Sequence, residues 1–192
     1  AGKMMLVRAL VLGWNLDVVE PVSNPLEKIE KSYDFSAMVP IQLEKSLSQI
    51  NKIDKLIVGG TIVSEELVSK IQHVSTKIFA TFGMTETITH IAIKQLNGFK
   101  NRTSSEVEKS HYMTLPNVSI SKDARNCLVI NAPKVSVAKI VTNDVVKIIS
   151  KNKLKWLGRF DNVINSGGIK LHPEAIEKKL AKIMKQRFFV AG

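Results

Sequence analysis

A single cysteine, Cys127, among 192 residues rules out an intrachain disulfide framework, and no CxxC pair is present. His73, His111 and His172 do not form a metal-ligand set with it, so zinc chemistry has no support. The Gly-x-Ser-x-Gly elbow and the Gly-x-Gly-x-x-Gly loop are also missing, which removes the usual signs of a serine hydrolase or a dinucleotide enzyme. No run approaches the roughly 18–20 apolar residues of a membrane helix. Residues 1–13 are apolar but broken by Arg8, and no small-residue cleavage site follows, so they read as a core segment rather than a signal peptide. These absences favour a soluble, cytoplasmic protein without membrane insertion. Internal repeats and low-complexity segments are absent as well.

Acidic residues are scarce, 17 against 28 Lys and Arg, giving a formal charge of +11. The imbalance is concentrated in residues 145–192, where eleven basic residues meet only Asp161, Glu174 and Glu177. Such a tail could attract nucleic acid, acidic lipid or a polyphosphate such as ATP or coenzyme A, and charge alone does not choose among them. An apolar fraction of 44% is that of an ordinary globular protein, one medium domain or one domain with a small second unit. The apolar opening at residues 4–12 and the closing residues 187–192, which read as a strand, both look like internal elements of something longer.

The pattern along the chain predicts an α/β arrangement. Residues 4–12 form a helix or a buried strand, and Asn24-Pro25 marks a turn. Ile41, Leu43, Leu47 and Ile50 are spaced for one buried helical stripe. Lys55-Leu56-Ile57-Val58 reads as a strand ended by Gly59-Gly60, followed by a helix with Ser64 as cap and Glu65 and Glu66 in its first turn. Residues 77–81 give another strand that stops at Gly83. Strand ends of this kind can border a ligand crevice. Residues 101–111 are polar and read as a loop or a solvated helix. Short strands then follow at 118–120, 127–130, 139–142, 145–149 and 153–156, as in a small antiparallel sheet or distorted barrel. After the turn at Ser166-Gly167-Gly168, Pro173 and Glu174 open a helix whose apolar face is Ile176, Leu180, Ile183 and Met184.

The densest polar cluster is Thr81-Phe82-Gly83-Met84-Thr85-Glu86-Thr87, directly after a strand. Glycine exposes backbone N–H groups, hydroxyls can donate to phosphate oxygens, and one carboxylate can hold Mg²⁺ beside a triphosphate. Equally, Thr85 and Thr87 could simply cap the next helix with Glu86 on its first turn. Asp144, in Thr142-Asn143-Asp144, could accept from a ribose diol, or it could belong to an Asx turn. Arg159 could reach a phosphate or ribose, or be a surface residue. Gly167-Gly168 could line a narrow channel or be a bare turn. His90, among Ile88, Ile91 and Ile93, could wall a pocket or serve the core.

Together these segments resemble the adenylate-forming superfamily of acyl-CoA synthetases, adenylation domains and luciferases. Thr81 to Thr87 is similar to its Y-G-x-T-E signature, with Phe82 where tyrosine is usual, and Gly59-Gly60-Thr61 is similar to its upstream glycine turn. Thr142-Asn143-Asp144 resembles its ribose motif, and Gly158-Arg159-Phe160-Asp161 through Gly168-Ile169-Lys170 resembles its hinge. The resemblance implies part of a large N-terminal domain, an α/β sheet with a small antiparallel sheet or distorted barrel, and the start of a small α+β C-terminal domain. Its expected limits are 1–111, 112–160 and 161–192.

By the same resemblance, Thr85 would contact the ATP phosphates and Glu86 would support Mg²⁺. Gly59, Gly60, Thr81, Phe82, Gly83 and Met84 would lie near the nucleotide or acyl substrate. Asp144 would bind the ribose with help from Arg159, Asp161 would be the hinge, and Gly167 and Gly168 would border the coenzyme A channel. Within the superfamily the likeness is greatest to the o-succinylbenzoate–CoA ligases of menaquinone synthesis, carried by residues 1–10, 36–43 and 83–92. That likeness puts Ser36, Val39 and His90 in the acyl pocket. The implied reaction consumes a small carboxylic acid, ATP and coenzyme A, and is compatible with a homo-oligomer.

The superfamily's phosphate-loop lysine and its C-terminal catalytic lysine are not in this sequence, so the chain alone is expected to adenylate weakly or not at all. One alternative is a ligase for another aryl or aliphatic carboxylate, and a second is a basic nucleic-acid-binding module that uses Trp156, Phe160, Phe188 and Phe189 among the lysines. Another is a noncatalytic fragment of the ligase fold. The amphipathic pattern of residues 173–184 explains most of the tail lysines as a solvated face, which weighs against nucleic acid.

Overall fold

The computed structural model describes residues 2–98, 111–166, 169–181, 183, 184, 186 and 188–191. The chain forms two compact units, one made of residues 1–85 and 89–110, the other of residues 86–88 and 111–192. The expected loop or solvated helix at 101–111 lies, apart from His111, outside the described residues.

Unit one is a mixed sheet with helical connections. Its strands are β1 (Tyr33–Met38), β2 (Ile53–Val58), β3 (Lys77–Gly83) and β4 (His90–Gln95), in that spatial order. β1, β2 and β3 run parallel and β4 runs antiparallel to β3. Parallel neighbours need crossovers, supplied here by α2 (Pro40–Lys45) with the 3₁₀ turn Leu47–Lys52, and by α3 (Glu65–Lys70). The Ser64 hydroxyl accepts from Leu67 N at 3.2 Å, so α3 begins as its sequence predicts, and Glu66 and Glu44 pair with Lys70 at its other end. Leu43, Ile50, Ile53, Leu56, Ile71, Ile78 and Ile91 fill the core. Buried Asn97 satisfies its neighbours there: its oxygen accepts from Ile78 N at 3.0 Å and its amide donates to Thr76 O at 2.7 Å.

Two expectations for unit one change. The first segment is helix α1 (Gly2–Leu12), but of its residues only Ala9 is buried, and Leu10 and Val11 are exposed. It is therefore not a core segment within this unit. The stripe from Ile41 to Ile50 is not one helix either. The α-helical pitch ends at Ser46, whose buried hydroxyl donates to Asn24 Oδ1 at 2.9 Å; α2 buries Leu43 but leaves Ile41 exposed, and the tighter turn that follows buries Ile50.

Unit two is built on five strands, β5 (Tyr112–Thr114), β6 (Ser119–Lys122), β7 (Cys127–Asn131), β8 (Ile140–Ser150) and β9 (Lys153–Arg159), in the order β5-β9-β8-β7-β6. All the pairings are antiparallel. Residues 139–142 and 145–149, expected as two strands, form the single strand β8. The strand continues through Asp144, with a register shift against β9 just after it at Val145/Val146, because Thr142 ties the segment to its neighbour. Thr142 Oγ1 donates to Leu128 O at 2.9 Å and accepts from Asp144 N at 3.0 Å. The Asx-turn reading of Asp144 is therefore overturned. Strands β10 (Ile164–Ser166) and β11 (Ile169–Leu171) form a separate antiparallel pair before α4 (Pro173–Leu180). No strand forms among the described residues after α4; Val190 N donates instead to Glu177 Oε1 at 2.8 Å. Among the described residues no helix is long and apolar enough to cross a membrane.

Candidate functional site

In unit one the candidate residues gather at the carboxyl ends of the parallel strands, where open α/β sheets bind ligands. Val39 follows β1, Gly59 and Gly60 follow β2, and Met84 follows β3. Thr81 Oγ1 donates to Val58 O at 3.2 Å, and a side chain at Gly59 would collide with that hydroxyl. Gly60 has φ +96°, and a Cβ there would lie 3.4 Å from Val39 Cγ1. Gly83 is tighter still: a Cβ would sit 2.6 Å from both Thr89 O and His90 Cα. Only glycine lets β3 meet β4 at this bulge. Thr85 is exposed, Phe82 and Met84 are half-buried, and Ser36 lies half-buried within β1.

Arg8, which counted in the sequence mainly as an interruption, is the residue most easily missed. Its guanidinium reaches from α1 to Thr89 Oγ1 at 3.1 Å and to His90 Nδ1 at 3.3 Å. Burial holds its pKa below the usual value, and no carboxylate pairs with it among the described residues. The sequence signal was a lone cation in an apolar run, but its partners lie 81 and 82 positions away. Burial, and next the charge of Arg8, push the His90 imidazole pKa down from 6.5. A histidine kept neutral by folding contributes stability that is complete above the unfolded pKa of about 6.5 and is lost as pH falls through the lower folded value. His90→Gln should therefore flatten the fall in stability on the acid side of that pH. Urea titrations in pH steps would check this, and parallel curves for the two proteins would contradict it.

In unit two, Glu86 lies exposed on the single 3₁₀ turn Thr85–Thr87, and Ile88 directly after it has φ +62°, a strained conformation for a β-branched side chain. The expected helix cap is thus a tight turn, with Thr87 buried beneath it. Asp144 is buried on β8, 7% exposed, and its Oδ1 accepts from Trp156 Nε1 at 2.8 Å. Its Cα partner across the β8–β9 pair is Arg159. The Arg159 guanidinium donates to Asp161 Oδ2 at 3.0 Å, and this bond raises its pKa first, with the charges of Asp144 and Glu86 adding to it. Asp144, Arg159 and Asp161 are therefore brought together by the β8–β9 pairing and the Arg159–Asp161 bond.

Asp161 is also held by Asn143 Nδ2, at 3.2 and 3.3 Å from its two oxygens. Asn143 Oδ1 accepts in turn from Arg125, which pairs with Asp123. Glu174 stabilises more than the start of α4, since its Oε1 accepts from Arg159 N and Asn162 Nδ2. A Cβ at Gly158, where φ is +150°, would strike its carboxylate. Gly167 and Gly168 lie outside the described residues. A concavity of about 620 Å³ beside Asp161, Pro173, Glu174, Glu177 and Phe189 includes neither Asp144 nor Arg159, and its three carboxylates suit a polyphosphate poorly. Among the described residues no group of three or more His, Cys, Asp or Glu side chains could hold a metal ion alone. One exposed carboxylate at Glu86 fits Mg²⁺, which is commonly held by one or two carboxylates together with substrate phosphates.

No family model matches the chain. Among solved structures it is similar to an acyl-CoA synthetase (AMP-forming)/AMP-acid ligase II-like protein from Dyadobacter fermentans. The two are 38% identical, the match covers 94% of this chain and 51% of that one, and the TM-score is 0.74. The MenE of Escherichia coli, in a variant with bound OSB-AMS, has the same fold at 20% identity, covering 98% of this chain and 43% of that one with a TM-score of 0.73. The curated 2-succinylbenzoate–CoA ligase of Escherichia coli (strain K12) is 22% identical over 197 residues, covering 94% of this chain and 41% of the relative. The chain thus spans from 41% to 51% of the length of these relatives.

Proposed function

We propose that the chain, a member of the adenylate-forming acyl-CoA synthetase superfamily, carries nucleotide-binding parts of an ATP-dependent acid–CoA ligase. In the reaction, a substrate carboxylate oxygen attacks the α-phosphorus of ATP and pyrophosphate leaves. The coenzyme A sulfur then attacks the acyl carbonyl of the adenylate, and AMP leaves. Thr85 contacts phosphate oxygens, Asp144 accepts from the ribose hydroxyls with Arg159 beside it, and Gly59, Gly60 and residues 81–84 provide backbone close to the nucleotide. Bound at Glu86, Mg²⁺ would offset charge developing on the phosphate oxygens. Asp161 is the hinge, at the junction of segments 112–160 and 161–192, and Gly167 and Gly168, outside the described residues, are assigned by the resemblance to the coenzyme A channel.

For the acid we propose o-succinylbenzoate, with Ser36, Val39 and His90 in its pocket. Arg8 favours an acid of this class, because a half-buried guanidinium without a carboxylate partner among the described residues suits a substrate with a second carboxylate. Trp156, on which the nucleic-acid alternative relied, is bonded through its indole N–H to Asp144.

The observation that carries the nucleotide reading is the buried Asp144 carboxylate, hydrogen-bonded to an indole N–H and opposite Arg159 in the β8–β9 register. Calorimetric titration of the chain with AMP and with 2′,3′-dideoxy-AMP tests it. Asp144→Asn should weaken AMP binding by about tenfold, the order of one charge-assisted hydrogen bond, and leave the dideoxy nucleotide unaffected. Equal affinities of the unmodified chain for the two nucleotides would refute the ribose role.

A further inference from the structure

To accept from a ribose diol, the carboxylate of Asp144 must be held pointing one way. A buried carboxylate has two oxygens and a rotatable χ2, and a diol gains most from one already oriented. The Asp144 backbone is fixed by its N–H bond to Thr142 Oγ1, whose own proton goes to Leu128 O. Among the described residues the side chain has one hydrogen-bond partner, the Trp156 indole at 2.8 Å from Oδ1. An indole N–H donates and never accepts, so it cannot take the protons a ribose diol offers and leaves that acceptor role to Asp144. Trp156 reaches the position from β9, where its Cα pairs with Val146, two residues beyond Asp144 on β8.

We infer that Trp156 is a positioning residue for ribose recognition: its indole N–H holds one oxygen of Asp144 so that the carboxylate meets the vicinal hydroxyls of a nucleotide in a fixed orientation. The inference rests on the ribose role proposed for Asp144. A Trp156 that only filled space would affect AMP and 2′,3′-dideoxy-AMP alike. A Trp156 that orients Asp144 affects only the nucleotide with hydroxyls.

The test is calorimetric titration of the chain and of Trp156→Phe with both nucleotides. Phenylalanine keeps an aromatic ring and removes the donor. The unmodified chain should bind AMP about tenfold more tightly than the dideoxy compound, and in Trp156→Phe the ratio should fall to about twofold or less with the dideoxy affinity unchanged. A variant that keeps the full ratio overturns the positioning role while the ribose role of Asp144 stands. An unmodified chain with no preference overturns both. If Trp156→Phe does not fold by circular dichroism, the decision passes to fluorescence. Of the two tryptophans, Trp14 packs on Phe35 in unit one, so Trp14→Phe leaves Trp156 as the sole reporter. AMP should then shift its emission and 2′,3′-dideoxy-AMP should not; identical spectra with the two nucleotides would overturn the inference.

Discussion

Ile78→Ala should destabilise the chain by about 2–5 kcal/mol, and by an amount near the top of that range. Ile78 is fully buried in β3, with Leu56 of β2 as its parallel partner. Its backbone is held on both sides, by Asn97 Oδ1 accepting from its N–H at 3.0 Å and by Leu96 N donating to its carbonyl at 2.8 Å. A site pinned in this way cannot collapse into the space left by the lost carbons, so the cavity contribution persists. Ile41, half as large a step from solvent at 52% exposure, provides the control: the same substitution there should change stability by about 0.5 kcal/mol or less. Urea unfolding of the two variants gives both numbers. Similar losses would mean that β3 is not the centre of the unit-one core.

Gly83→Ala is the second large effect, expected to cost about 3 kcal/mol through overpacking. The added methyl would meet Thr89 O and His90 Cα at 2.6 Å and His90 N at 3.0 Å. All three are backbone atoms, so no side chain can swing aside. The strain must spread into the β3–β4 bulge, and from there into Met84 and Thr85, which follow it directly. Urea unfolding should show an earlier midpoint with an unchanged slope, and an unchanged midpoint would mean the bulge yields more easily than its geometry implies. The same variant should also lose nucleotide binding if Thr85 contacts phosphate.

The features legible in the sequence are those set by neighbours along the chain. Ser64, Glu65 and Glu66 announced a helix start because capping involves residues three positions apart. Gly59-Gly60 and Gly83 marked strand ends because the backbone requirement lies at the glycine itself. Failures occurred where distant residues decide. Nothing local in residues 139–149 says that Thr142 and Asp144 will find partners in Leu128 and Trp156 and so let one strand continue. The exposure of Leu10 and Val11 follows from what packs on α1, which its own periodicity cannot state. For the site, Thr85, Glu86, Asp144 and Arg159 were candidates by local motif, and only the family resemblance assigned them roles. Trp156 and Arg8 act through residues 12 to 82 positions away, and Asn143 acts on Asp161 from 18.

The open space at Gly158 is what lets the Glu174 carboxylate lie against the end of β9. A side chain at 158 evicts the Glu174 carboxylate, and with it the acceptor for Arg159 N and the Asn162 amide. The carboxylate can swing aside, so the cost of a side chain at 158 falls on the two bonds that Glu174 would release and on the backbone at φ +150°.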